Sequence, residues 1–504
     1  MCDMRQKGSI TVFSALAFML VASFLFALLE AGRWHHLETY ADMCSSLAVE
    51  SVCAEYQPQL WKEYRLLGLD GAYGGETFSM EQVMGVLGAR LRANLTPEGA
   101  GGRLMQLELE ALQPDGYQLI TDGDGHVFLH CVASYMSANL PVEVAGFLYS
   151  KYAQNASVEE NAPETENVEQ AQAMLEEAWQ QAVANRQQAV DEQEQTDADL
   201  VQESGQGIAH VEENPLEVVL AAKQNALLGM VVEDVGSLST SAIRSEEMIE
   251  RRIIERGTLS VPEEGGWYEK ILSLEYLEKY FGDYRKPAQG HALAYEQEYI
   301  LFGQERDRDN LERVIERLLL IREAANVSHI VADSEKYSAS MTLANAIAGF
   351  TGNPAIIKVV QLGIVAAWAY VESILDLRAL LAGDKIALLK SRDQWTSQLG
   401  SLTQAFTENM KAKACEDGVD YQGYLKGFLL MMTERDFAFR MMGIMEQNIR
   451  QIPLYHSFRM DHILSSISCE ISYVAQPLFW NLSVLGSRQL AGMMFQTQKS
   501  FSYY

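Results

Sequence analysis

Residues 8–29 read GSITVFSALAFMLVASFLFALL, an uninterrupted stretch that contains no charged side chain. An α-helix needs about 20 apolar residues to cross the hydrocarbon layer of a bilayer, so the stretch predicts a transmembrane helix over residues 9–29. Arg5 and Lys7 precede it, whereas Arg33 is outnumbered after it by Glu30, Glu38, Asp42 and Glu50. Because positively charged flanks stay in the cytoplasm, we expect a single-pass protein of the cell membrane with a cytoplasmic N-terminus and an extracytoplasmic body.

A cleaved secretory signal is the alternative interpretation of this stretch. However, the apolar run is longer than the roughly 7–15 residues typical of a signal, and no Ala-x-Ala cleavage site follows it. Past the membrane, apolar residues keep helical spacing and predict that the helix continues as an amphipathic stalk: Leu37, Tyr40, Ala41, Cys44, Leu47, Ala48 and Val52. A second uncharged run, 359–371, is too short to span a bilayer and predicts a buried core helix.

The composition limits the number of packed units and the classes of partner that the chain can have. The chain has 504 residues, of which 48% are hydrophobic, and this length favours two or three packed units. The formal net charge of −29 argues against nucleic acid as a partner, because phosphate recognition needs clustered Lys and Arg. The six cysteines show no metal-binding spacing, and the sequence leaves two single disulfides open, Cys44 with Cys53 or Cys131 with Cys469.

The hydrophobic periodicity predicts a mainly α fold with a small β component, an α+β class. Strands are predicted at 106–111 and 117–121, paired with each other, and at 466–473. Helices are predicted at 80–95, 128–136, 218–233, 243–256, 310–333, 338–348, 355–381, 394–412 and 421–448.

The stretch 155–215 contains fifteen Asp or Glu residues against a single Arg, which is too polar to fold alone. It separates two parts of the chain with regular periodicity. We therefore expect seven segments: a cytoplasmic leader (1–8), a transmembrane helix (9–29), a stalk helix (30–65), a small α+β region (66–154), an acidic low-complexity insertion (155–215), a helical domain (216–452) and a C-terminal strand-containing segment packed on the body (453–504).

His126 and His130 lie four residues apart on a predicted helix, directly after the turn Asp122-Gly-Asp-Gly125. This spacing suits a zinc clamp, but no third ligand is identified, and two surface histidines beside a Gly-rich turn are the simpler interpretation. The turn also lacks the distal Glu of a calcium loop. We expect it to form a turn and to cap the helix, and we predict no metal or cofactor site.

Glu372 and Arg322 each lie in an apolar helical stretch. Such charges indicate either a perturbed catalytic carboxylate or buried ion pairing, and structural pairing is the commoner case. We predict that Glu372 pairs with an arginine, with Arg322 as the first choice. No P-loop, G-x-S-x-G, H-E-x-x-H or complete Rossmann fingerprint is present, so we predict no catalytic residues and no enzyme activity.

The opening Lys7-Gly-Ser-Ile-Thr-Val-Phe13, a basic leader followed by an apolar helix, resembles the N-terminus of type IV filament subunits, especially TadE/TadG-like pseudopilins. In those proteins a prepilin peptidase cuts after the glycine of the leader. The resemblance implies cleavage after Gly8, which would make Ser9 the new N-terminus. Phe13 stands where filament subunits usually carry Glu.

Four further segments resemble an uncharacterised bacterial family associated with Tad-type pilus and secretion gene clusters. They are SVCAEYQPQLWKEYRLLGLDGAYGG (51–75), LAYEQEYILFGQERDRDNLERVIERLLLIREAAN (293–326), AWAYVESILDLRALLAGDKIALLKSRDQW (367–395) and YLKGFLLMMTERDFAFRMM (424–442). The resemblance implies a location and an association, and it adds no catalytic residue.

We therefore expect a non-catalytic, membrane-anchored component of a Tad-type apparatus, pseudopilin-like or accessory. Its partners would be the lipid bilayer and other membrane helices of that assembly, which could approach its small residues Ser14, Ala15, Ala17, Ala22 and Ser23. The main alternative is a stand-alone tethered receptor or adhesin that binds a cell-wall polymer or protein. A membrane-anchored hydrolase that uses carboxylates such as Glu372 is a third interpretation.

Overall fold

The computed structural model describes residues 3–95, 105–138, 140–160, 215–223, 226–262, 265–349, 352–478 and 492–504. The chain divides into two compact units: unit 1 comprises 1–138, 249–265 and 448–504, and unit 2 comprises 139–248 and 266–447. The fold is mainly helical with one small antiparallel sheet, which confirms the predicted α+β class. Most of the predicted acidic insertion, positions 161–214, lies outside the described residues.

Unit 1 is built on one long helix and a four-stranded sheet. Its elements are α1 (Asp3–Cys53), α2 (Pro58–Tyr64), β1 (Leu69–Asp70), α3 (Met80–Asn94), β2 (Glu108–Leu119), α4 (His126–Ser137), β3 (Ile463–Ala475) and β4 (Met493–Ser502). The 51 residues of α1 extend over about 75 Å at 1.5 Å per residue. The second half of α1 packs on α3 and β4 through the stalk positions predicted from the sequence, among them Leu37, Ala41, Cys44 and Ala48.

The central strand of the sheet is β3, and all its pairings are antiparallel. One edge of β3 pairs with β2, and the other pairs with β1 and then β4. Ile467, Cys469, Ile471 and Tyr473 of β3 are buried in the core of the unit, as the alternating sequence predicts. The sheet therefore closes one side of the same core that α1 closes on the other.

Unit 2 is helical. Its elements are α5 (Val142–Glu160), α6 (Pro215–Lys223), α7 (Leu227–Val231), α8 (Trp267–Tyr280), α9 (Glu296–Phe302), α10 (Asp307–Ala332), α11 (Ser334–Ala348), α12 (Pro354–Ala382), α13 (Leu402–Thr407), α14 (Tyr421–Met431) and α15 (Glu434–Arg450), whose last three residues belong to unit 1.

The central helix of unit 2 is α12, which packs against α10 and α11. Asn353 caps its first turn by accepting the N–H of Ala355 at 3.0 Å, and Gly383 ends it in a left-handed conformation with φ 102°. Nearly every side chain from Val360 to Leu381 is buried. Its hydropathy would suit a membrane span, but its burial confirms the predicted core helix.

The two short strands predicted at 106–111 and 117–121 do not pair with each other. They are parts of the one strand β2, which pairs along its length with β3. Pro114, which cannot donate to a sheet hydrogen bond, lies at a shift of register on this edge strand. The gap between the two predicted strands is thus a bulge within β2.

Four predicted helices are not helical throughout. Within 218–233, α6 ends at Lys223 and α7 covers only Leu227–Val231, with Ala226 and Val232 extended on either side of it. Residues 243–256 form only 3₁₀ turns, because the N–H of Ile243 bonds to the carbonyl of Glu305 and draws the chain alongside a neighbouring segment. Only Leu402–Thr407 is helical within 394–412. The helix predicted at 421–448 is two helices, because the hydroxyl of Thr433 accepts the N–H of Asp436 and starts α15 anew.

Candidate functional site

The first half of α1 is an exposed apolar cylinder. Thirteen large hydrophobic side chains between Ile10 and Leu29 are 37–75% exposed, and none of the most apolar window of this helix is buried. A soluble surface rarely carries a contiguous apolar patch of more than a few hundred Å². The segment is therefore a candidate membrane anchor or signal sequence.

A buried ion pair marks the end of this apolar segment. Arg33 donates to the carboxylate of Glu30 at 2.6 Å, one helical turn away, and both residues are buried. Arg33 also donates to the carbonyl of Gln476 at 3.0 Å, and the Glu30 carboxylate accepts the N–H of Leu478 at 3.3 Å. These bonds fix the chain just past β3 to the first turn of α1 that follows Leu29.

The predicted processing residues Gly8 and Ser9 lie within the helical backbone of α1. Phe13, one turn further on, is 73% exposed. Ser23, one of the small residues predicted to allow helix contacts, donates its hydroxyl to the carbonyl of Leu20 at 2.9 Å. Its polar group is thus satisfied within the helix. Cleavage after Gly8 stays a prediction.

Unit 2 contains a fully buried ionic network in the C-terminal half of α12. Glu372 and Asp376 are one turn apart on α12, and Lys390 pairs with both, at 2.5 Å from Asp376. Arg322 of α10 pairs with the other oxygen of Asp376 at 2.9 Å. All four side chains are at most 1% exposed, so two positive and two negative groups neutralise one another in the interior.

The predicted pairing of Glu372 with Arg322 is wrong in its partner. Both residues are buried in one network as expected, but Glu372 pairs with Lys390 and Arg322 pairs with Asp376. The guanidinium of Arg322 also donates to the carbonyls of Ala387 and Leu388 at 3.0 and 3.1 Å, which holds it one turn away from Glu372. The carboxylate of Glu372 instead accepts two backbone N–H groups.

The backbone of the segment after Lys390 completes the site. The N–H groups of Thr396 and Ser397 donate to Glu372 at 3.1 and 2.7 Å. These bonds tie the segment after Lys390 to α12. Burial alone would lower the pKa of Arg322, but the charge of Asp376 and the Tyr424 hydroxyl outweigh it and raise that pKa. The arrangement holds segments together and keeps all four charges in place.

A second group of buried carboxylates lies around α9. Tyr421 donates to Glu298 at 2.6 Å, and the N–H of Tyr284 donates to the same oxygen at 2.8 Å. Burial, followed by the charge of Asp283, raises the pKa of Glu298 to about 8. Glu298 is therefore largely protonated at neutral pH and acts as a neutral hydrogen-bonding group.

The turn at 122–125 is structural. The Asp122 carboxylate accepts the N–H of Leu119 at 2.7 Å and that of Gly257 at 2.9 Å, so it closes the turn and holds the segment 249–265 against β2. The helix cap is the backbone of Gly125, with φ 91°, and no side chain caps it. The ring of His130 lies edge-on to Tyr504, 4.9 Å between ring centres. Among the described residues, no three His, Cys, Asp or Glu side chains converge on a point that could hold a metal ion.

The five described cysteines are free thiols, so neither of the two disulfides left open by the sequence is formed: Cys44, Cys53, Cys131, Cys415 and Cys469. Burial raises the pKa of both Cys53 and Cys131 to about 12. Thiols with such a pKa are nearly all protonated at neutral pH and are poor nucleophiles.

Sequence reasoning missed two members of the network. Asp376 follows Glu372 by four residues, the spacing that places two side chains on one helix face, and this signal could have found it. Lys390 lies in an irregular segment without periodicity, and nothing in the sequence points to it. The contacts of Gln476 and Leu478 with α1 are equally invisible, because they are made by the backbone.

Comparison with known proteins identifies the family of this chain. No curated protein and no solved structure matches the chain. Residues 205–475, more than half of the chain, match a family of unknown function, DUF5702, and the protein belongs to that family.

Proposed function

We propose that this protein is a membrane-anchored, non-catalytic component of a Tad-type pilus or secretion apparatus, pseudopilin-like or accessory. In this proposal residues 9–29 span the cell membrane once, the N-terminus is cytoplasmic and both units are extracytoplasmic. The observation that carries it is the exposed apolar half of α1, which has the length of a bilayer core and continues without a break into the packed core of unit 1.

Two further arguments support the orientation and the setting. Arg5 and Lys7 before the span, against the excess of acidic residues after it, favour a cytoplasmic N-terminus. The resemblance of residues 7–13 to TadE/TadG-like pseudopilins, and of four longer segments to a family associated with Tad gene clusters, supports the apparatus.

Membrane anchoring is tested by fractionating the native bacterium. We expect the full-length protein in the carbonate-resistant membrane fraction. Phe18→Arg with Leu20→Arg should reduce that fraction strongly, because each arginine at the middle of a span costs about 2.5–3.5 kcal/mol of insertion free energy. Met43→Arg, an exposed position of α1 beyond the span, is the matched control and should change nothing. Wild-type protein found only in the soluble fraction would refute the anchor.

Association with the apparatus is tested by co-purification from membranes. We expect Tad assembly proteins to co-purify with the wild type and to be lost on Ala17→Leu or Ala22→Leu, which block close helix approach. Val21→Leu, a change between apolar residues of ordinary size, is the control. If no assembly protein co-purifies, or if the alanine variants retain it fully, docking through this helix is wrong.

A tethered receptor or adhesin is the second candidate, and Phe13 favours it, because filament subunits usually carry Glu at this place. N-terminal sequencing of the mature protein separates the two. A mature N-terminus at Ser9 supports the filament class, whereas an intact leader supports the tether.

A further inference from the structure

One end of the sheet in unit 1 lies beside the base of the apolar segment. Ala475 at the end of β3 pairs with Met493 at the start of β4. Just past Ala475, the carbonyl of Gln476 accepts from Arg33, and the N–H of Leu478 donates to Glu30. This end of the sheet is therefore attached to the turn of α1 that directly follows Leu29.

The position of this turn sets a depth in the membrane. Arg33 lies about 6 Å beyond Leu29 along the helix axis, at 1.5 Å per residue. The headgroup layer on each side of the hydrocarbon core is roughly 5–8 Å deep. If residues 10–29 fill the hydrocarbon core, Gln476 and Leu478 lie at the depth of the headgroups.

The side chains at this end of the sheet are apolar and exposed. Leu478 is 41% exposed, Met493 is 38% exposed and Met494 is 64% exposed. Met494 shares a strand face with the exposed residues Gln496, Gln498 and Ser500, because side chains alternate along a strand. Along this face the apolar residue is the one next to the anchor, and the polar residues follow further away.

Contacts between α1 and β4 give the direction of this gradient. Thr497 lies 3.0 Å from Ser45 between their hydroxyl oxygens, and Tyr503 donates its hydroxyl to the carbonyl of Cys53. The strand therefore runs away from the apolar segment as its residue numbers rise. The switch from apolar to polar side chains follows increasing distance from the bilayer.

We propose that Leu478, Met493 and Met494, the sheet tip, form a second contact with the same bilayer and rest in its headgroup region beside the anchor. This inference rests on the proposed membrane span. The occupant is a lipid surface, because the Glu30 and Arg33 bonds hold the sheet tip beside the exposed apolar segment of α1. Two attachments, a spanning helix and a resting sheet tip, fix the orientation of unit 1 to the membrane.

The test places an environment-sensitive fluorophore on single introduced cysteines of the full-length protein in phosphatidylcholine vesicles. Met494→Cys probes the sheet tip. Ser500→Cys, on the same strand face about 20 Å further along at 3.3 Å per residue, is the matched control. Phe18→Cys probes the anchor. Labelling of native thiols, measured on the unsubstituted protein, is subtracted. Quenching is measured with nitroxides placed either on the lipid headgroup or within the acyl chain.

We expect the acyl-chain nitroxide to quench the label at position 18, and the headgroup nitroxide to quench the label at 494 but not at 500. If 18 is quenched and 494 is not, the anchor stands and the sheet-tip contact is wrong. Equal quenching at 494 and 500 also overturns it, because the contact would then not be confined to the sheet tip. If 18 is not quenched, the membrane span itself is wrong and the sheet-tip contact fails with it.

Discussion

Replacement of Lys390 by Met tests whether the ionic network of unit 2 depends on mutual neutralisation. The network contains Arg322 and Lys390 against Glu372 and Asp376, so its formal charge is zero. Met keeps most of the length of Lys without the charge. Lys390→Met therefore leaves one net negative charge among carboxylates that have no exposed surface.

The expected loss of unfolding free energy follows from the partners that Glu372 and Asp376 keep in Lys390→Met. Removing one member of a buried ion pair costs about 3–5 kcal/mol of unfolding free energy, because the other charge stays buried and unpaired. Glu372 keeps two backbone N–H donors, and Asp376 keeps Arg322, so we expect a loss within this range. Adding Glu372→Gln restores a formal charge of zero. The double variant should therefore lose about 1–3 kcal/mol less than the sum of the two single losses.

The assay is urea unfolding of the full-length protein in detergent, followed by tryptophan fluorescence. The ring centre of Trp395 lies 5.6 Å from the Nζ of Lys390, so the fluorescence of Trp395 reports the unfolding of this region. Lys411→Met, which removes a lysine paired with the exposed Glu233, is the control and should leave the transition unchanged. The neutralisation argument is refuted if Lys390→Met loses no more unfolding free energy than Lys411→Met. It is also refuted if the loss in the double variant equals the sum of the two single losses.

Three other changes test the remaining buried polar contacts. Burial and the charge of Asp283 raise the pKa of Glu298 to about 8, so its contribution to stability is full below the unfolded pKa near 4.5 and is lost as pH rises through 8. Glu298→Gln should make the free energy of unfolding depend less on pH between 5 and 8, and an unchanged slope would contradict the assignment. Asp122→Ala leaves two backbone N–H groups without their acceptor and should cost roughly 2–4 kcal/mol in urea unfolding, with Glu110→Ala, an exposed carboxylate of β2, as the control. Arg33→Met leaves the buried Glu30 carboxylate without its arginine and should lower the thermal midpoint of unfolding of unit 1. Arg33→Met with Glu30→Gln should recover part of the loss, and no recovery would argue against the pair.

Helix α10 could be predicted because its burial is one-sided and periodic, whereas α12 is buried on nearly all sides and could be predicted from its long apolar run between Pro354 and Gly383. The boundaries predicted for α10, 310–333, differ by a few residues from Asp307–Ala332, and those for α12 differ by one at each end. The split between α14 and α15 was missed, although Thr433 stands three residues before Asp436, a spacing typical of a helix start. Apolar residues keep their helical spacing across this break, because α14 and α15 both bury apolar side chains.

The burial of Glu372 could be predicted from the sequence, but its ion-pair partner could not. A charged residue in an apolar helix must be paired, so the sequence indicated that Glu372 is buried beside a cation. Which cation reaches it depends on an irregular segment that carries Lys390 past α12. That segment is held by its own backbone carbonyls, which accept from the Arg322 guanidinium whatever side chains positions 387 and 388 carry.

The ion pair at the base of the apolar segment bears on whether the segment is retained or cleaved. The Glu30 and Arg33 pair needs helical geometry, since its members are three residues apart. Cleavage directly after Leu29 would put Glu30 in the first turn of a shortened helix, where the N–H groups have no helical partners. In the intact helix those N–H groups bond to carbonyls of the apolar segment. If the apolar half is retained as a membrane span, its helix therefore also holds Glu30 in place to bond Leu478.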